Sequence, residues 1–159
     1  MIVPKLALAI RQDDLTSPQV LELLRLHLER MHEQSPPGNV FALDVAGLRL
    51  PEVTLWTAWA GDTVAGMGAL KDLGDGVGEI KSMRTSPAFL RRGVAAALLE
   101  HIIDSARARG MSRLSLETGT GEAFAPAIAL YRRYGFVSGA AFAQYPTSGF
   151  SRFFHLALT

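Results

Sequence analysis

A chain of 159 residues, 48% apolar and 19% charged, has the length for one domain with its own core and the composition of a globular protein. Its net charge of +1 at pH 7 leaves no basic surplus with which to hold nucleic acid or an acidic membrane surface. The lack of cysteine excludes disulfides, thiolate metal sites and a cysteine nucleophile, and suits a reducing, cytoplasmic setting. No apolar run nears the roughly 20 residues of a membrane span, and the N-terminus lacks the layout of a signal peptide.

In chain order, Lys5 to Ile10 reads as a first strand. Asp13, Asp14, Thr16 and Ser17 are N-cap candidates, with Pro18 suited to the first helical turn. Val20, Leu23, Leu24, His27, Leu28 and Met31 then recur at three and four residues, which predicts a helix to about His32. Ser35-Pro36-Pro37-Gly38-Asn39 ends it. Between Asn39 and Pro51 a helical turn is expected around Phe41 to Ala46, in a segment of the kind that lies across a site. Val53 to Ala60, Thr63 to Lys71 and a strand holding Glu79 and Met83 are separated by Gly61-Asp62 and Gly74-Asp75-Gly76, the spacing of an antiparallel meander. A helix after Gly93 turns Val94, Leu98, Leu99, Ile102, Ile103 and Ala106 inward and ends at Gly110. A strand over Arg113 to Thr118, a helix over Ala125 to Tyr134, a strand starting at Phe136-Val137 and a last strand over Phe150 to Leu158 complete a single α+β domain spanning residues 1–159.

The stretch from Gly78 to Gly110 carries the strongest chemical signal. A strand meets the Ser86-Pro87 breaker, passes through Leu90-Arg91-Arg92-Gly93 and enters a helix. The first N–H groups of a helix have no partner within it and favour an anion. Arg91 and Arg92 there oppose the helix dipole by about 0.3–1 kcal/mol each, a conflict that a bound polyphosphate removes. The alternative is a solvated arginine pair opening an ordinary helix. Gly93 and Ala95 supply bare backbone for close approach.

Leu90-Arg91-Arg92-Gly93-Val94-Ala95 resembles the signature of the GNAT acyltransferases, [Gln/Arg]-x-x-Gly-x-[Gly/Ala], with Leu90 in place of Gln or Arg. Leu130-Tyr131 with Gly135-Phe136 resembles a second run of that family, and the order of predicted elements follows its fold over nearly the whole chain. Several stretches resemble a bacterial subgroup sometimes called YsnE-like. The resemblance implies a mostly antiparallel mixed sheet flanked by helices, and acetyl-CoA as co-substrate. It also implies backbone groups of Met83, Arg84 and Thr85 along the pantetheine arm, and the pyrophosphate against Arg91, Arg92, Gly93, Val94, Ala95 and Ala96.

The same resemblance puts Tyr131 where the family often places the tyrosine that protonates the CoA thiolate. A phenol with its ordinary pKa near ~10 is protonated at neutral pH and can serve as that donor; the plainer reading is a tyrosine packed on the inner helix face. Tyr134 competes with it at the wrong offset. For a base, Glu79 and Glu117 lie on strands expected to flank the cleft. Glu79 is carried as the candidate, and Glu117 is expected to face solvent or a basic side chain. Phe124 stands near where many relatives have asparagine; the YsnE-like subgroup tends to have an aromatic there. The resemblance sets His32, Glu33 and Ser35 on the acceptor side, although a histidine at a helix end is commonly a cap. His27 and His32 miss the i, i+4 spacing of helical metal pairs, so no metal site is expected. Trp56, Trp59 and Phe150 are expected mainly in the core.

The function expected is an N-acetyltransferase that moves the acetyl group of acetyl-CoA to a primary amine of a small molecule or peptide by direct attack. A non-catalytic acyl-CoA-binding sensor is the alternative from another class; it would keep residues 91–96 and tolerate loss of Tyr131. A nucleotide-binding protein would need Gly-x-Gly-x-x-Gly or Gly-Lys-Ser/Thr after a strand, and has neither. Since many GNAT relatives pair, a homodimer is the assembly that the resemblance allows.

Overall fold

The computed structural model describes residues 6–158. Among them seven strands form one sheet: β1 (Ala9–Gln12), β2 (Val53–Ala60), β3 (Thr63–Gly74), β4 (Val77–Thr85), β5 (Arg113–Thr118), β6 (Val137–Ser138) and β7 (Arg152–Ala157). Their order in space is β1-β2-β3-β4-β5-β7-β6. Every neighbouring pair is antiparallel except β4 and β5. That parallel pair needs a crossover, which is supplied by α3 (Val94–Ala108). The other helices are α1 (Pro18–Gln34), α2 (Val45–Leu48) and α4 (Ala125–Arg133). The architecture is the expected α+β one, a mixed sheet flanked by helices.

Alternation along the strands sorts the apolar residues into two layers. On one face Val20, Leu23, Leu24, Leu48 and Leu55 gather with Trp59 and Met67, which seats α1 and α2. On the other, Trp56, Leu70, Ile80, Leu114 and Leu116 meet α3 and α4. Both tryptophans are therefore core residues. The α3 helix lies so close to β3 that a Cβ on Gly66 would sit 2.6 Å from Val94 Cγ1. Leu98, Leu99 and Ile102 are fully buried beneath it, each stabilising the helix by roughly 1.5–3 kcal/mol. Packing on this scale outweighs the unfavourable arginines at its start.

Three segments differ from their sequence-based expectations. The first strand begins at Ala9, since its ladder pairs Ala9 with Trp59 and β2 ends at Ala60; Leu6 and Leu8 pack on the core without joining the sheet, and Lys5 lies outside the described residues. The turn expected at Phe41 to Ala46 is the α2 helix instead. The Asp44 side chain caps it by accepting from Gly47 N, which leaves Phe41 to Leu43 outside the helix. At the C-terminal end, Phe150 and Ser151 precede the last strand. No helix of the described residues is long and apolar enough to cross a membrane.

Candidate active site

The site begins where the sheet comes apart. β4 and β5 pair only at Val77–Arg113, Gly78–Leu114 and Glu79–Ser115, although β4 runs on to Thr85 and β5 to Thr118. A bulge in β4 accounts for the parting. Met67 faces Arg84 and Ala69 faces Lys81, so that Ser82 and Met83 together oppose Gly68. Ser82 takes the left-handed conformation, with φ 57°. Met83 folds over Gly68, where a Cβ would meet its sulfur at 2.6 Å. Such a bulge bends its strand and re-aims the side chains beyond it.

The resulting cleft, about 160 Å³, lies between Ser82–Arg84 on β4, Leu116–Thr118 on β5, and Ala127 and Tyr131 of α4. Ser82 Oγ is buried there without a hydrogen-bond partner. A buried polar atom of this kind calls for a polar ligand. At the open end, Pro87–Phe89 form a 3-10 turn and Arg91 takes φ 61° before Gly93 caps α3 at φ 84°. No side chain caps α3. Its first intrahelical bond runs from Ala97 N to Gly93 O, so the N–H groups of Val94, Ala95 and Ala96 are unsatisfied within the helix. Arg91 and Arg92 are exposed beside them, and Leu90, 58% exposed, takes no part in the core. Gly66 links the two regions: a Cβ there would meet Val94 Cγ1 of α3 at 2.6 Å and Arg84 O of β4 at 3.0 Å.

Tyr131 reaches the cleft from α4 and is 6% exposed. Burial alone pushes its phenol above the ordinary range, so the proton stays on oxygen through neutral pH. Tyr134 points elsewhere, its hydroxyl donating to Glu100 on α3 at 2.6 Å. Phe124 is buried edge-on against Phe150 with ring centroids 5.6 Å apart, and it walls the cleft.

Glu79 marks the point where the strands separate and is 2% exposed. Its Oε2 accepts from Lys81 Nζ at 3.3 Å and from the Tyr145 hydroxyl. Lys81 Nζ also donates to Tyr145 at 2.7 Å. Burial first, and then the Glu79 charge, push the Tyr145 phenol up. Beyond this trio a second, larger cavity of about 760 Å³ opens over the start of β4. Phe41, Glu79 and Lys81 line both cavities.

The three residues expected on the acceptor side are not brought together. His32 and Glu33 are exposed on the last turn of α1; His32 Nδ1 lies 2.8 Å from Leu28 O, and Glu33 pairs with Arg30. Ser35 is buried but lines neither cavity. The histidine that reaches the cleft is His27, one turn deeper, with Met31 beside it. Its Nδ1 accepts from Arg84 Nε at 3.0 Å. Burial, reinforced by Arg84 and Lys81, lowers its pKa to about 3. The heptad face that buries His27 was visible in sequence, but its partner, 57 residues away, was not. Lys81 and Tyr145 also escaped notice, because their meeting depends on the path of a loop. Glu117 lines the cleft rather than facing solvent, and burial raises its carboxyl. Among the described residues no group of three or more His, Asp or Glu could hold a metal.

The neutral His27 gives a stability prediction. Its folded pKa lies below the ordinary value near ~6.5, so the folded state resists a proton that the unfolded chain accepts. The contribution is complete above ~6.5 and is lost as pH falls toward 3, by up to about 1.4 kcal/mol per pH unit. Denaturant midpoints measured from pH 7 to 4 should fall less steeply for His27→Asn, whose amide oxygen can still accept from Arg84. Equal slopes would mean that His27 is not what titrates.

A sequence model of the acetyltransferase (GNAT) family matches residues 18–136. The chain is 50% identical over 149 residues to the uncharacterized N-acetyltransferase YedL of Escherichia coli (strain K12), covering 94% of each. It is 52% identical over 136 residues to the uncharacterized N-acetyltransferase YsnE of Bacillus subtilis (strain 168), covering 86% of this chain and 90% of that one. Among solved structures, a Bacillus subtilis acetyltransferase in complex with CoA superposes with a TM-score of 0.72 at 21% identity, over 96% of this chain and all (100%) of that one.

Proposed function

Since the chain belongs to the acetyltransferase (GNAT) family, we propose that it moves the acetyl group of acetyl-CoA onto a primary amine of a small molecule by direct attack, in the cytoplasm. The observation that carries this reading is the parting of β4 and β5 after Glu79 and Ser115, with Tyr131 inside it. The opening admits an extended arm, and the one buried phenol in it stands ready as an acid.

Acetyl-CoA supplies the activated acyl group. The inward edge of β4 at Met83 to Thr85 aligns its arm, and Val94, Ala95 and Ala96 N–H with Arg91 and Arg92 hold its diphosphate. The amine enters from the larger cavity, passes Glu79 and forms a C–N bond as the C–S bond breaks. Tyr131 gives its proton to the departing sulfur, and the same dry surroundings make that sulfur more basic. Glu79 takes the proton that the amine loses; with Oε2 held by Lys81 and Tyr145, Oε1 is the oxygen turned to that task. Most of the acceleration comes from positioning.

Incubation with acetyl-CoA and a panel of primary amines should release free thiol only when an acceptor is present. Glu79→Gln should slow that release about a hundredfold, with CoA binding retained. An unchanged rate of release would take the base role away from Glu79.

A further inference from the structure

We infer that the acceptor is a small amino acid-like molecule with a primary amine, a free carboxylate and an apolar or aromatic side chain, taken into the larger cavity. This deepens the transferase reading and rests on it. The open cavity of about 760 Å³ has the size of a small-molecule site. Its walls divide by chemistry. Phe41 stands edge-on to Tyr145 at 5.1 Å, and Tyr145 to Phe142 at 5.2 Å, giving an aromatic side. The opposite side is the sheet, where three adjacent strands place charges on one face. Lys71 on β3 is directly across from Glu79, and Arg113 on β5 is directly across from Val77.

The charges there have a definite surplus. The cavity is lined by the cations Lys71, Lys81 and Arg113 and by the anions Asp75 and Glu79. Lys81 and Glu79 neutralise each other as a buried pair at 3.3 Å. Among the described residues Lys71 and Arg113 make no ion pair, and they outnumber Asp75, which sits on the exposed turn before β4. One positive charge is left over, which matches a monoanionic carboxylate better than a dianionic phosphate. Glu79 and Val77 are two residues apart on β4, about 7 Å. An amine at Glu79 therefore leaves a neighbouring carboxylate within reach of the long Lys71 and Arg113 side chains. The side chain is left facing the aromatic wall.

The test compares phenylalanine with phenylalanine amide as acceptors, at saturating acetyl-CoA, with thiol release as the readout. The two differ only at the carboxylate. The amide has the less basic amine, so free-amine supply runs against the expected order. Phenylalanine should have a kcat/KM about tenfold higher, and the double variant Lys71→Gln, Arg113→Gln should erase the difference while the acetyl-CoA thermal shift stays as in the parent protein. Single Arg113→Glu, at an exposed position, should invert the order and guards against a fold defect in the double variant. Equal use of the two acceptors overturns the proposal, as does a preference that survives both charge changes. It is also overturned if acetyl-CoA binds and neither compound is acetylated. Failure of acetyl-CoA itself to bind would instead remove the transferase reading beneath it.

Discussion

Gly93→Val is expected to raise the dissociation constant for acetyl-CoA by at least about a hundredfold, near 2.8 kcal/mol. Two physical effects add. Gly93 holds φ 84° at the head of α3, a conformation that a β-branched residue adopts only with strain of roughly 1–3 kcal/mol. A Cβ there would also enter space that is open to 4 Å in every direction, the space that the proposed reading gives to the diphosphate beside the N–H groups of Val94 to Ala96. The fold should persist, because the buried face of α3 is untouched. Titration calorimetry would measure the loss, and thermal shifts with CoA, acetyl-CoA, ATP and NADH would show whether it is confined to the CoA species. Binding as tight as the parent's would mean that the phosphate path runs elsewhere.

Tyr131→Phe should lower turnover by about a hundredfold or more and leave the acetyl-CoA dissociation constant nearly unchanged. The ring is buried and stacks edge-on against Phe136 at 5.6 Å. Phenylalanine keeps that packing and removes only the oxygen. Burial holds the phenol above its ordinary range, so the parent enzyme should lose no activity on the alkaline side through this group below about pH 10. The sign for stability follows from the same shift. A raised pKa contributes fully below the unfolded phenol's value near ~10 and fades as pH climbs past it. Single-turnover measurements would separate the chemical step from product release. Equal rates for the two proteins would end the acid assignment and favour a packing role.

The elements legible in sequence were those whose signals are local. Val53 to Ala60 and Arg113 to Thr118 were bounded correctly because alternation and turn residues fix a strand from within, and α3 because its apolar face repeats at helical spacing. Tyr131 and the residues from Arg91 to Ala96 could be nominated because they occupy fixed offsets from Gly135 and Gly93, and they lie at the cleft and at the head of α3 respectively. The larger cavity was largely illegible. Its walls come from Phe41, Lys71, Lys81, Arg113, Phe142 and Tyr145, which are scattered along the chain and meet only through the sheet register and two irregular connections. His27 shows the difficulty at a single position. Periodicity placed it on the buried face, but nothing local distinguishes a histidine packed in a core from one hydrogen-bonded to Arg84 at the cleft. The bulge at Ser82 was equally hidden, since a serine in a strand carries no mark of a left-handed backbone.

An open sheet has two borders, here β1 and β6. The parting of β4 from β5 adds two more in its interior, one along Ile80 to Thr85 and a shorter one along Leu116 to Thr118. Unpaired strand borders are templates for another strand, and proteins ordinarily blunt or hide them because they invite aggregation. These two are roofed by α1 on one side and α4 on the other, through Met31 and Tyr131. Shielded in this way, the two borders are withheld from a strand of another molecule, so the opening that the proposed transferase reading needs does not double as a site of aggregation.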